Sequence, residues 1–207
     1  MPDQREIEIK FPLSDPKKTR QSLLQVGASS EGRHFEDNIR LDNRDRTLSS
    51  RRLVLRLRRI VFEDQAQQCF MTVKLPDEPD SHHAFSIRRE IETQVSDSDA
   101  TLAALAVLGY EPYWRYEKRR ETFVWRDLKA EIDELPFGWF LELEGSPQEI
   151  VHLAAQLGFD MKEGLTLSYA AIFENVKRAL GLSVSDLTFD SFGGIPVELR
   201  HYSGGSV

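Results

Sequence analysis

The segment Glu6-Ile7-Glu8-Ile9-Lys10 alternates charged and branched apolar residues, and the same alternation returns along most of the chain. A strand has a side-chain period of two, so Glu6, Glu8 and Lys10 share one face while Ile7, Ile9 and Phe11 share the other. In Leu55-Arg56-Leu57-Arg58 the leucines take one side and the arginines the other, and Thr72 and Lys74 oppose Met71 and Val73. Ser86, Arg88, Glu90 and Glu92 form another such face, as do Lys118, Arg120 and Thr122. Glu131 and Asp133 flank Ile132, and Glu142 and Glu144 flank Leu143. A solvated sheet face is ordinarily diluted with Ser, Thr, Gln and Asn; here ionisable groups come in pairs two residues apart. That density points to a charged cavity between strands. A ladder of cross-strand ion pairs, worth little per pair, is the competing account.

Helix signals interrupt the strands. Ser14-Asp15-Pro16 sets a cap before a helix that runs to Gly27, and a second runs from about Asp97 to Gly109. Ser146-Pro147-Gln148-Glu149 opens a third that ends at Gly158, and a fourth spans Ser168 to Leu180 before Gly181. About eight antiparallel strands with one charged face and one helix-covered apolar face close naturally into a barrel, which makes the expected class α+β. The barrel domain is expected over residues 1–181. Residues 182–207, rich in Ser and Gly, read as an irregular tail with a short strand around Ile195 to Leu199.

At 207 residues with 29% charged and 40% hydrophobic content, the chain is an ordinary globular protein. Its net charge of -7 argues against broad phosphate neutralisation on a nucleic acid. One cysteine, Cys69, precludes an intrachain disulfide, and cytoplasmic residence is the default expectation. The first ten residues read as a strand, so neither a signal peptide nor a membrane span is expected. The adjacent pair His82-His83 reads as solvated, not as a metal site.

The charged face mixes acids with bases. Carboxylates suit a hard, oxygen-loving cation, while Arg and Lys suit phosphate, Arg as a bidentate fork and Lys as a point charge. Both sets together suit a metal-complexed polyphosphate. No glycine-rich loop followed by Lys-Ser or Lys-Thr is present, which argues against an ordinary nucleotide-binding fold.

The ordered series Glu6-x-Glu8-x-Lys10, Leu55-Arg56-Leu57-Arg58, Thr72-Val73-Lys74, Arg89-Glu90-Ile91-Glu92, Lys118-x-Arg120, Ile132-Asp133 and Gly138-x-Phe140-x-Glu142-x-Glu144, then Ser168-Tyr169, resembles the CYTH superfamily of triphosphate tunnel metalloenzymes. The resemblance runs from about Glu6 to Phe173. It implies an eight-stranded tunnel that binds a triphosphate with Mg2+ or Mn2+. By resemblance, Glu6, Glu8, Asp133, Glu142 and Glu144 are metal-binding or metal-orienting, with Glu90 and Glu92 as further tunnel acids of the metal set. Lys10, Arg56, Arg58, Lys74, Lys118 and Arg120 would grip phosphate, and Lys10, Lys74 and Arg120 would act on the reacting groups.

The layout looks most like the bacterial class IV adenylate cyclase subgroup, which converts ATP to cyclic AMP and pyrophosphate. Hydrolysis of tripolyphosphate, a nucleoside triphosphate or thiamine triphosphate is the alternative, and a non-catalytic polyphosphate-binding module is a second. Two departures bear on this choice. Arg40 stands where many relatives carry a tyrosine that partners the amino-terminal lysine, which weakens a thiamine-triphosphate assignment. The His-Phe that precedes the first acidic motif in some class IV cyclases is missing. The partner expected is a triphosphate-bearing small molecule, with no nucleic acid and no membrane; a homodimer is left open.

Overall fold

Eight strands carry the alternation, and a computed structural model, describing residues 4–76 and 84–203, shows how they close. They are β1 (Gln4–Leu13), β2 (Ser29–Asp42), β3 (Val54–Phe62), β4 (Gln67–Pro76), β5 (Ser86–Val95), β6 (Glu111–Trp125), β7 (Leu128–Leu135) and β8 (Gly138–Glu144). Every neighbouring pair is antiparallel, and the order β1-β5-β4-β3-β2-β6-β7-β8 returns to β1. The expected closed eight-stranded barrel is therefore present. His82 and His83 lie outside the described residues.

The barrel is inverted relative to an ordinary core, with charge inside and apolar side chains outside under helices. Ile9 and Phe11 on the outer face of β1 pack with Phe123, Leu141 and Leu143 beneath α1 (Pro16–Gln25) and α4 (Pro147–Leu157). Each fully buried Leu or Phe contributes about 1.5–3 kcal/mol, which offsets the cost of lining the interior with ions. Helix ends follow the local signals. Asp15 accepts from Lys18 N ahead of Pro16, and Ser146 accepts from Glu149 N ahead of Pro147. The short helix α2 (Thr47–Ser50) carries no sequence signal of its own; Asp42 anchors it by accepting from Leu48 N and Ser49 N. Helix α3 (Ser98–Val107), capped by Asp97, buries no residue fully and leaves Val107 and Leu108 exposed.

Helix α5 (Tyr169–Leu180) buries Ile172, Phe173 and Val176 against the second core cluster. The segment after it is more ordered than the sequence suggests. Leu187 forms a parallel bridge with Tyr116 of β6, and α6 (Phe189–Phe192) follows. Tyr202 donates to Phe137 O at 2.9 Å, directly over Gly138, where a Cβ would collide with its hydroxyl. The short strand expected at Ile195 to Leu199 does not form; Leu199–His201 is a 3-10 turn instead. Pro196 has no N–H to offer a ladder, and Ile195 and Val197, half-buried, pack against the cluster around Phe173.

Candidate active site

Strand order divides the tunnel into opposed walls. Strands β8 and β1 are neighbours through barrel closure, and across the barrel from them lie β3 and β2. Glu6 and Glu8 of β1 and Glu142 of β8 bring one carboxylate oxygen each to within 4.8 Å of one another. Lys10 sits beside them, donating to Glu8 at 2.5 Å and lying 3.4 Å from Glu142. The far wall carries Arg56 and Arg58 of β3 and Arg40 of β2, flanked by Lys118 and Arg120 of β6. The cavity between these walls measures about 560 Å³. Ten basic and seven acidic side chains line it, so the tunnel has a cationic surplus in a chain of net charge -7.

Several acids are engaged by bases. Asp133, fully buried, accepts two bonds from Arg120 at 2.6 Å each, one from Tyr169 Oη at 2.7 Å and one from Lys118 at 3.3 Å. Glu90 pairs with Lys74, which also reaches Glu6 at 3.1 Å. Glu92 accepts from Thr72 at 2.6 Å and Arg58 at 3.0 Å. Glu144 is the cross-strand neighbour of Glu8 but stands outside the three-carboxylate group. The structure thus brings Glu6, Glu8 and Glu142 together, and places Asp133, Glu90 and Glu92 among donors.

Three further groups belong to the site. Glu36 of β2 is fully buried, 3.5 Å from Lys118 and 3.6 Å from Arg58. Glu131 of β7 pairs with Arg120. Tyr116 accepts from Arg56 at 3.3 Å. Glu131 is two residues from Asp133, so the period-two rule already puts it on the tunnel face. Glu36 gave no such signal, because Glu36 and Asp37 make both faces of β2 polar; Asp37 points outward to Arg59 and Arg115.

Burial, reinforced by the neighbouring Glu142 carboxylate, pushes the Glu8 carboxyl up to about 8. Burial acts on Glu142 in the same direction, yet Lys10 and Arg120 overcome it and hold Glu142 well below the carboxylate range. Glu8 therefore keeps the proton that the pair shares. Glu131 is raised to about 7, by burial first, with Arg120 opposing. Burial also lowers Arg88, and Arg52 and Arg40 beside it add to the effect.

The fit of this site to a cation rests on its donor set. Three carboxylates converge with no Cys or His, and oxygen donors of this kind suit Mg2+, Mn2+ or Ca2+. The opposite wall fits an anion: the Nε atoms of Arg40, Arg56 and Arg58 are buried without a hydrogen-bond partner. A pH dependence follows for metal-free protein. The unfolded chain releases the Glu8 proton near the ordinary carboxylate value of about 4.3, whereas the folded chain holds it to about 8. The folded state binds more protons across that window, so this stabilisation is present below the unfolded value and is lost as pH rises through 8. The melting temperature in chelator is expected to fall from about pH 5 to pH 9, and divalent cation should flatten the decline by replacing the proton. A metal-free profile that is flat over this window would contradict the buried shared proton.

A family model described as CYTH domain matches residues 4–169. A candidate adenylate cyclase of Methanocaldococcus jannaschii is 29% identical over 146 residues, which is 70% of this chain and 79% of that protein. The structure of a candidate adenylate cyclase of Vibrio parahaemolyticus superposes with a TM-score of 0.71 at 22% identity, covering 84% of this chain and 99% of the other. An adenylyl cyclase candidate of Hippeastrum, described as having a dominant triphosphatase activity, superposes with a TM-score of 0.56 at 18% identity, over 82% and 95%. At these identities the superpositions speak for the fold alone.

Proposed function

The chain belongs to the CYTH domain family, and from that premise we propose that it is a cytoplasmic enzyme acting on a triphosphate held with Mg2+ or Mn2+ in the tunnel, first as an adenylate cyclase. The observation that carries the proposal is the opposition of the walls. Glu6, Glu8 and Glu142 converge on one side, and guanidinium groups with orphaned Nε atoms face them from the other. A ligand that satisfies both must present cation and phosphoryl oxygens at once.

In this reading Glu6, Glu8 and Glu142 hold the cation, which when bound supplies charge neutralisation and orientation of the phosphoryl oxygens. Arg56, Arg58 and Lys118 grip those oxygens as preorganised donors. Lys10, Lys74 and Arg120 meet the charge that develops on the phosphoryl centre and the departing group. Asp133 fixes the Arg120 fork and the Tyr169 hydroxyl, and Glu36 restrains Lys118 and Arg58. Both act through the bases and not on the substrate. Glu90, Glu92 and Glu144 border the site and tune its charge.

Cyclisation forms a bond from the ribose 3'-oxygen to the alpha phosphorus and expels pyrophosphate; hydrolysis directs water at the terminal phosphorus. The names carried by the Methanocaldococcus and Vibrio relatives favour the first, and the description of the Hippeastrum relative favours the second. A product assay with ATP, GTP, thiamine triphosphate and tripolyphosphate, each with Mg2+ or Mn2+, separates them. Cyclic AMP and pyrophosphate are expected from ATP. ADP and orthophosphate from ATP, with no cyclic AMP, would establish the hydrolase, and turnover undiminished in excess chelator would overturn the metal-dependent reading.

A further inference from the structure

We propose that the arginines at the Arg40 end of the tunnel form a second anion site, continuous with the first, for the phosphoryl groups of a linear polyphosphate that extend beyond the three held inside. The proposal rests on the triphosphate reading above and names a longer substrate or inhibitor of the same class. Arg40 and Arg88 line the cavity itself, while Arg46 and Arg52 are exposed outside it. Two contacts join the groups. Arg40 and Arg46 both lie over the Tyr113 ring, at 5.7 and 4.0 Å from its centroid, and Arg88 donates to the Arg52 carbonyl at 3.3 Å.

Among the described residues none of the four makes an ion pair, although Arg88 has Glu6 as its cross-strand neighbour on β1; Arg40, Arg46 and Arg52 have no such carboxylate in their pairing. Arg40 is moreover the direct cross-strand neighbour of Arg56, and like charges in that position destabilise a sheet. Its Nε is buried without a partner. A guanidinium offers donors only, so the missing ligand is an acceptor, and a path of guanidinium groups from inside to outside suits a repeating acceptor. Phosphoryl oxygens along a chain meet that description. A nucleic acid meets it less well, because Arg40 and Arg46 already cover the Tyr113 ring on which a base would stack.

Calorimetry on protein freed of divalent cations, in which turnover cannot interfere, tests this with tripolyphosphate, a longer linear polyphosphate and a single-stranded oligonucleotide. The longer polyphosphate is expected to bind about tenfold tighter than tripolyphosphate, the size of one well-made charged contact. In the double variant Arg46→Gln, Arg52→Gln that preference should vanish while tripolyphosphate affinity stays the same. The comparison with the variant removes the statistical advantage of a longer chain. Should the double variant melt early, Arg52→Gln alone carries the same comparison, since this side chain is exposed. The proposal is overturned if the preference survives the substitutions, if both phosphate ligands weaken equally, or if the oligonucleotide shows the larger rim-dependent gain. Failure is separable from that of the enzyme assignment: a protein that turns over triphosphates without this preference loses the rim alone, and one that keeps it without turnover loses the reaction alone.

Discussion

Replacing Arg56 with alanine is expected to lower kcat/KM for the triphosphate by about 10²-fold or more while the barrel stays folded. The first half follows from losing a preorganised donor aimed at developing phosphoryl charge, which is worth about that much in comparable sites. The second half follows from its partners. Arg56 donates to the neutral groups Tyr116 and Thr72, and its nearest carboxylate, Glu92, is 3.6 Å away and also held by Arg58. Its removal strands no buried carboxylate and relieves the like-charge contact with Arg40. Arg120→Ala is the contrasting control. It would leave Asp133 and Glu131 buried without their main partner and cost about 3–5 kcal/mol of stability. Steady-state kinetics and melting curves on both variants check the pair of statements. An Arg56→Ala protein with full activity, or one that unfolds, would remove Arg56 from the phosphate-gripping wall.

Glu142→Gln should lower metal affinity and activity together, with metal-free stability level or slightly raised. Glu142 contributes one of three converging carboxylate oxygens, and an amide in its place keeps the shape but loses the charge. In the metal-free protein the substitution hands the charge to Glu8. That carboxyl is raised by burial first and then by Glu142, so with the second cause gone it ionises more readily beside Lys10. The pocket then holds the same net charge as before, and the decline of stability with pH should move to lower pH. If Glu142 instead served only as an ion-pair partner of Lys10 and Arg120, the same change would lower stability without metal. Melting temperatures of both proteins with and without Mn2+ decide between the two. A variant that loses metal-free stability and keeps its full metal-induced shift would exclude Glu142 from the cation site.

Much of the fold is local information. In β1, β3 and β4 one face is apolar, so the side-chain period alone says which residues turn inward, and caps such as Asp15-Pro16 and Ser146-Pro147 mark helix starts without reference to the rest of the chain. Ionic strands of this kind are compatible with only a few closures, and the barrel followed. Where the local pattern is mixed, it decides neither face nor partner. Strand β2 is polar on both faces, so Glu36 stayed invisible until closure put it beside Lys118 and Arg58 and sent Asp37 out to Arg59 and Arg115. The ordered course of residues 186–202 was hidden for a related reason: Leu187 bridges to Tyr116 and Tyr202 reaches Phe137, contacts made far away in sequence.

The inventory of charges was thus determined by the sequence, and their division of labour by the tertiary structure. Glu8, Asp133 and Glu142 look alike as alternating acids. Antiparallel closure of β8 onto β1 sets Glu142 across from Lys10 and within reach of Glu6 and Glu8, over a separation no local rule spans. The β6–β7 register sets Asp133 across from Arg120, which saturates it with donors. A carboxylate's chemistry depends on which charges lie within a few ångströms, because Coulomb energies fall with distance and burial magnifies them. Strand periodicity says only that a side chain faces inward; pairing and register decide what it meets there.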